Sequence, residues 1–153
     1  MQNCKISLFG HRDFEYHNTF EPTLIKLLGD MLEENENLEI YIGRNGEFDV
    51  FAASVLRRVK RKSGDRVFIN LVIPYTVKDL EYFETYYDDV ILPYGAESVY
   101  PKAAIAKRNL WMVDKSDLVI CYVKRHSGGA YKAVKYALRK NKRVLNLATY
   151  QLE

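Results

Sequence analysis

Two adjacent glycines stand in the run Ser127-Gly128-Gly129-Ala130, between a strand-like apolar stretch (Leu118–Tyr122) and a helix-like stretch (Gly129–Asn141). With no Cβ in the way, backbone can close on a ligand there. A helix start adds unpaired N–H groups and the positive end of the helix dipole, so the run can seat a phosphate or another anion. Glycine also fills many strand-to-helix turns for geometry alone, so the run acquires meaning only from what stands around it.

Three other turns supply candidates: Gly10-His11-Arg12-Asp13-Phe14, Gly43-Arg44-Asn45-Gly46-Glu47-Phe48-Asp49, and Pro74-Tyr75. An arginine fork suits phosphate or carboxylate. Arg12 either takes that role or closes a turn by pairing with Asp13 or Glu15. Arg44 and Asn45 are candidate ligand contacts in the second turn. Gly43 and Gly46 read as positive-φ residues of a tight loop. Asp49 falls in the first turn of a helix, where it either complements the dipole or accepts ribose hydroxyls. His126, ahead of the glycine pair, is a base or an incidental surface residue. Arg108 and Asn109 form a polar pair ahead of Trp111 on a later helix. Arg108 bears on the site only if its side chain turns toward the glycine pocket, which periodicity does not decide.

The elements that must position these residues alternate. Cys4–Phe9, Leu38–Ile42, Val67–Ile73, Val90–Leu92, Asp117–Tyr122 and Val144–Leu147 read as strands. Leu24, Leu27, Leu28, Met31 and Leu32 recur at helical spacing and predict a helix over 19–34, with Pro22 in its first turn. Phe48, Phe51, Ala52, Val55, Leu56 and Val59 mark a second helix, broken at Ser63-Gly64-Asp65. A short helix is expected at 79–85, a third long one from Pro101 to Asp114, and the glycine-led one after it. Such alternation predicts an α/β fold, a three-layer Rossmann-like sandwich around a mostly parallel sheet. All the candidate turns then follow the carboxyl ends of strands, where open parallel sheets bind ligands.

The chain of 153 residues is 48% hydrophobic and 28% charged, as expected of a single globular domain spanning 1–153. No apolar run approaches the roughly 20 residues of a membrane helix, and a strand begins almost at the first residue, so neither membrane partner nor signal peptide is expected and the location expected is cytoplasmic. Cys4 and Cys121 should lie roughly 15 Å apart at opposite ends of parallel strands, too far for a disulfide. His11, His17 and His126 lack paired-cysteine spacing, so no metal and no cofactor is expected. The net charge of +3 is uneven: residues 101–153 hold 12 Lys and Arg against 3 Asp and Glu. That excess would attract phosphates or nucleic acid, although Lys132, Lys135, Arg139, Lys140 and Lys142 read as the solvated face and C-terminal turn of one helix.

Taken together, Gly10-His11-Arg12, the stretch from Gly43 to Phe48-Asp49, Ala106-Lys107-Arg108-Asn109-Leu110-Trp111-Met112-Val113-Asp114, Ser116-Asp117-Leu118-Val119-Ile120 and Gly128-Gly129-Ala130 resemble the SLOG superfamily. That group is similar to the Lonely Guy phosphoribohydrolases and to the DNA-processing protein DprA, and the branch resembled is the stand-alone YpsA-like one of bacteria and phages. The resemblance spans nearly the whole chain. It implies a nucleotide-type ligand, with Gly128 and Gly129 as its phosphate or ribose cradle and Arg108 as the helix-borne arginine facing it. It also implies a homo-oligomer, commonly a dimer, for which twelve tyrosines supply aromatic surface. One departure stands out. The phosphoribohydrolases place glutamates after their glycines, whereas Ala130-Tyr131-Lys132-Ala133-Val134-Lys135 holds no carboxylate. An oxocarbenium-like transition state needs one nearby. Asp49, Glu47 or Glu97 would have to serve from another loop.

The first expectation is therefore a module that binds a nucleotide or an NAD- or ADP-ribose-derived molecule, through Gly10, His11, Arg12, Gly43, Arg44, Asn45, Pro74, Arg108, Asn109, Ser127, Gly128 and Gly129. The alternative is an N-glycosidase or transferase with Arg108, Asp49 or Glu47 in catalysis. Single-stranded nucleic-acid binding ranks third.

Overall fold

The structure, a computed structural model, describes residues 2–93 and 100–150. Glu97 lies outside them. Six parallel strands form one sheet in the order β4-β3-β2-β1-β5-β6. These are β1 (Asn3–Gly10), β2 (Asn37–Ile42), β3 (Val67–Val72), β4 (Asp89–Ile91), β5 (Leu118–Tyr122) and β6 (Arg143–Asn146). The helices between them are α1 (Phe20–Glu34), α2 (Glu47–Ser63), α3 (Leu80–Tyr86), α4 (Pro101–Lys115) and α5 (Gly129–Arg139). The expected sandwich is present, and its sheet is wholly parallel. Among the described residues no helix is long and apolar enough to cross a membrane.

Two apolar cores flank the sheet. Leu24, Leu27, Leu28 and Met31 of α1 and Phe48, Ala52, Val55 and Leu56 of α2 pack on one face against Ile6, Leu8, Ile40 and Ile120. Met112 and Val113 of α4 and Ala133, Val134 and Ala137 of α5 cover the other, against Phe9, Val72 and Val119. Cys4 belongs to the first core and Cys121 to the second, so the sheet itself separates the two free thiols. Burial pushes the Cys121 thiol up to about 12, which keeps it protonated.

The chain builds outward from β1 to β4, then crosses back to place β5 on the other side of β1. The loops after β1 and β5 therefore leave toward opposite faces, as at the ligand crevice of doubly wound sheets. At the far end, α5 stops at Arg139, two residues short of its sequence pattern. Asn141 turns left-handed (φ 59°) and the Lys142 N–H returns to the Ala137 carbonyl at 2.9 Å, closing the helix.

Gly10 is needed for space. A Cβ there would sit 2.1 Å from Cγ of the fully buried Phe48, so this position packs β1 against α2 and offers no room to a ligand. Gly10→Ala should lower stability by about 2 kcal/mol through overpacking. Gly29→Ala, inside α1 with nothing within 4 Å of the new methyl, should raise it by about 0.5–1 kcal/mol. Urea unfolding of the two variants checks both signs.

Candidate functional site

The site is built around α4. Ala104, Arg108 and Met112 recur every fourth residue and all are buried, so Arg108 occupies the inward stripe of its helix and is only 3% exposed. A buried guanidinium must find acceptors. Its Nη1 donates to the Val72 carbonyl at 2.8 Å, its Nη2 to Asn45 Oδ1 at 3.1 Å, and its Nε to Asn109 Oδ1 at 2.9 Å. The fork thus ties α4 to the ends of β2 and β3. Gly43 makes this approach feasible, because a Cβ there would come within 2.8 Å of Nη1. Arg108 does turn toward a glycine, but that glycine is Gly43 and not the pair before α5.

Asn45 is the hub of this loop. Besides receiving Arg108, its carbonyl accepts from Arg12 Nε at 3.0 Å and its N–H donates to Asp49 Oδ2 at 2.9 Å. Asp49 is desolvated, which raises its carboxyl to about 6, while the Asn45 N–H and the Arg108 charge pull the other way. Glu47 Oε2 accepts the Phe14 N–H at 3.2 Å, and the Glu47 N–H returns to the Arg12 carbonyl at 2.9 Å. Arg12 therefore joins the first two loops, and its sequence-stated partners Asp13 and Glu15 lie elsewhere: Asp13 pairs with Arg125 and Glu15 with Lys124. Gly46 is where Arg12 crosses, since a Cβ there would meet Arg12 Cα at 2.5 Å. The expectation of positive φ at Gly43 and Gly46 is corrected: among the described glycines only Gly64 and Gly128 have it, and the other two are glycines because neighbours come so close.

His11 closes the gap between β1 and β5. It is buried, and its Nε2 accepts from the Lys124 N–H at 2.9 Å and the Arg125 N–H at 3.1 Å. Two donors on one ring nitrogen require the neutral form. Burial and the Arg125 charge lower its pKa, with Asp13 opposing. Through Nε2 it ties the loops after β1 and β5 together.

At α5 the backbone is bare. Gly128 is the N-cap residue, at φ 95° and ψ 174°, a conformation that essentially only glycine adopts. No side chain caps the helix, and Lys132 is the first amide to bond back, to the Gly128 carbonyl at 3.1 Å. Ser127, Gly128 and Gly129 are exposed. Asn109, the neighbour of Arg108, reaches this point: a Cβ on Gly129 would lie 3.6 Å from its Nδ2. His126 stacks on Tyr131 at 5.6 Å, an aromatic contact that the sequence reading missed.

A small cleft of about 150 Å³ opens over Arg108, walled by Arg44, Asn45, Pro74, Tyr75 and Phe83. Arg44 is exposed and holds its guanidinium 4.8 Å over the Phe83 ring. Phe83 went unnoticed in the sequence because only the folded chain brings α3 beside the second loop. Of the residues expected at the site, Asn45, Arg44, Pro74 and Arg108 gather here, and Asn109, Ser127, Gly128 and Gly129 gather at α5. Gly10, His11, Arg12 and Glu47 pack or tie the loops.

Arg108→Leu should cost about 3 kcal/mol, since it strands the Val72 carbonyl and Asn45; chemical denaturation measures it. The His11 imidazole gives a pH test. Its folded pKa lies below the ordinary 6.5, so the unfolded chain binds the proton first. Its contribution is complete above about 6.5 and is lost as pH falls toward the folded pKa. His11→Gln keeps an acceptor at similar reach without titrating, and should flatten the fall in melting temperature as pH drops below about 6.5.

No family model and no curated protein matches the chain. Solved structures do. The DNA processing protein A (DprA) of Streptococcus pneumoniae is 16% identical with a TM-score of 0.63, covering 94% of this chain and 50% of its own. DprA of Helicobacter pylori, which binds single-stranded DNA, is 14% identical with a TM-score of 0.61, covering 94% of this chain and 64% of its own. A molybdenum cofactor binding protein of Rippkaea orientalis is 19% identical with a TM-score of 0.61, covering 95% of this chain and 77% of its own. The chain spans half to two-thirds of the length of the DprA proteins. At such identities the likeness is one of architecture: the chain shares the Rossmann-type fold of these proteins, as the resemblance led us to expect.

Proposed function

We propose that this protein binds a nucleotide or a nucleotide-derived small molecule, of the NAD or ADP-ribose kind, as a sensor or sequestering module. The observation that carries this reading is the start of α5. Its leading amides meet no side-chain cap, glycine backbone lies exposed in front of them, and the Asn109 amide stands opposite Gly129. Backbone N–H groups and the helix dipole favour a phosphate there. Asn109 offers a donor to a phosphate or ribose oxygen. Arg108 lends positive potential from beneath the strand ends, and Arg44 supplies an exposed cation beside Pro74. Neighbours of this fold that take single-stranded DNA or a molybdenum cofactor are in keeping with a ligand-binding role.

The glycosidase reading has one observation in its favour. Asp49, raised to about 6, titrates in the range useful to an acid–base group. Asp49 Oδ2 nevertheless accepts the Asn45 N–H and Glu47 Oε2 the Phe14 N–H, so both carboxylates hold the second loop, and no carboxylate follows the glycine pair within residues 130–135. The binding reading therefore stands first.

Calorimetric titration with a nucleoside monophosphate, ADP-ribose and NAD tests it. At least one should bind, and Gly129→Val should weaken that ligand by about tenfold or more with an unchanged melting temperature. Failure of all three to bind, or equal binding by the variant, removes the α5 cradle. Free base released during the same incubations would instead favour bond cleavage.

A further inference from the structure

A larger cleft, about 430 Å³, lies on the opposite face of the sheet, between the start of α1, the end of β5 and the segment after β6. Its size falls within the range of small-molecule sites. Neither the glycine run nor the Arg108 cluster contributes to it. Tyr16, Phe20, Tyr122 and Tyr150 line it together with Leu147 and Ala148, beside polar side chains such as Thr19 and Thr23.

Tyr122 is the informative residue. It is only 2% exposed, and its ring is fixed by Phe14 (4.8 Å), Phe20 (5.3 Å) and His11 (5.9 Å). Its hydroxyl meets no hydrogen-bond partner among the described residues, although a buried phenol normally finds one. No fully enclosed side-chain oxygen or nitrogen lacks a partner among these residues. The sliver of Tyr122 that remains accessible therefore includes the hydroxyl, and this cleft is what Tyr122 lines. A rigid, mostly buried ring thus leaves its hydroxyl without a protein partner among the described residues, beside an aromatic-bearing cleft.

The charges define what fits. Glu15 and Lys124 are the charged side chains lining the cleft, and they pair with each other at 3.5 Å. The His17 ring nitrogen Nδ1 is held by the Thr19 hydroxyl at 2.8 Å. The two charged side chains of the lining, Glu15 and Lys124, thus carry opposite signs and face each other. Flat rings stack on or against aromatic walls, and a hydrogen-bonding edge would satisfy the phenol. We propose that this cleft is a second ligand site, separate from the start of α5, for an uncharged planar heteroaromatic molecule of the nucleobase or nucleoside class.

The test is an NMR titration of the labelled protein with adenosine and with uridine, and with adenosine monophosphate as the anionic counterpart. At least one nucleoside should shift the Thr19, Phe20 and Ala148 amide signals saturably. Tyr122→Phe, which removes only the hydroxyl, should weaken that binding about fivefold or more, and Gly129→Val should leave it unchanged. Ala148→Phe, which fills the cleft from the far side, should abolish it and serves if Tyr122→Phe does not fold. The proposal is overturned if neither nucleoside gives a saturable shift at millimolar concentration. It is equally overturned if the shifts fall at the start of α5 and vanish in Gly129→Val, or if the cleft variants bind as the parent does.

Discussion

The carboxyl edge of the sheet is organised by one buried cation. An arginine cannot be neutralised at any ordinary pH, so taking it out of water demands acceptors in the right places. Arg108 meets that demand with a strand-end carbonyl, Val72, and with the side chains of Asn45 and Asn109. Each acceptor belongs to a different element or a different turn, so satisfying the guanidinium fixes β2, β3 and α4 relative to each other. Gly43 follows from the same constraint, because any larger residue would push the fork away. Asp49 adds a counter-charge at longer range, and the Arg108 field holds its carboxyl lower than burial alone would.

From that anchor the loops are chained together. Asn45 passes the connection to Arg12, Arg12 and Glu47 link the first loop to the second, and His11 links the first loop to the one after β5. The result is a rim of loops held to one another by side-chain hydrogen bonds, with the amides that open α5 left free. A rim of this kind is preorganised, since a ligand need not order it on arrival. Arginine, histidine and glutamate are well suited to tie loops for the same reason that they suit ligands, namely forked or paired hydrogen bonds; here His11 and Arg108 do so from buried positions and Arg12 and Glu47 from exposed ones.

The elements themselves were legible because apolar periodicity records burial. Leu24, Leu27, Leu28 and Met31 announce α1, and the run from Val67 announces β3. Helix ends were less so: α5 ends where Asn141 turns left-handed, which periodicity does not register. At the strand ends, the carboxyl-end rule gathered loops that the fold does make neighbours, yet it could not separate a ligand contact from a loop tie. His11 and Arg12 have the same composition in either role, and only their partners decide. The burial of Arg108 was written in the spacing, four residues after Ala104 and four before Met112, but a charged residue in an apolar stripe is easily taken for a solvated one. The Tyr122 hydroxyl left no local signal, since its isolation depends on Phe20 and on the segment after β6, both distant in the chain.

The tie made by His11 bears on where ligands can go. In open parallel sheets the natural crevice lies where adjacent loops diverge to opposite faces, here between β1 and β5. His11 fills that point and draws the backbone of Lys124 and Arg125 to itself, while Arg125 pairs with Asp13 across it at 2.5 and 2.8 Å. Space at the edge is consequently displaced to either side of the tie. Toward α4 and α5 it is bordered by bare helix amides and a buried guanidinium, an environment suited to negative charge. Toward α1 it is bordered by aromatic rings and a balanced ion pair, an environment suited to a neutral ring. One histidine, accepting from two backbone donors, thereby ties the loops after β1 and β5 between the uncapped start of α5 and the cleft beside α1.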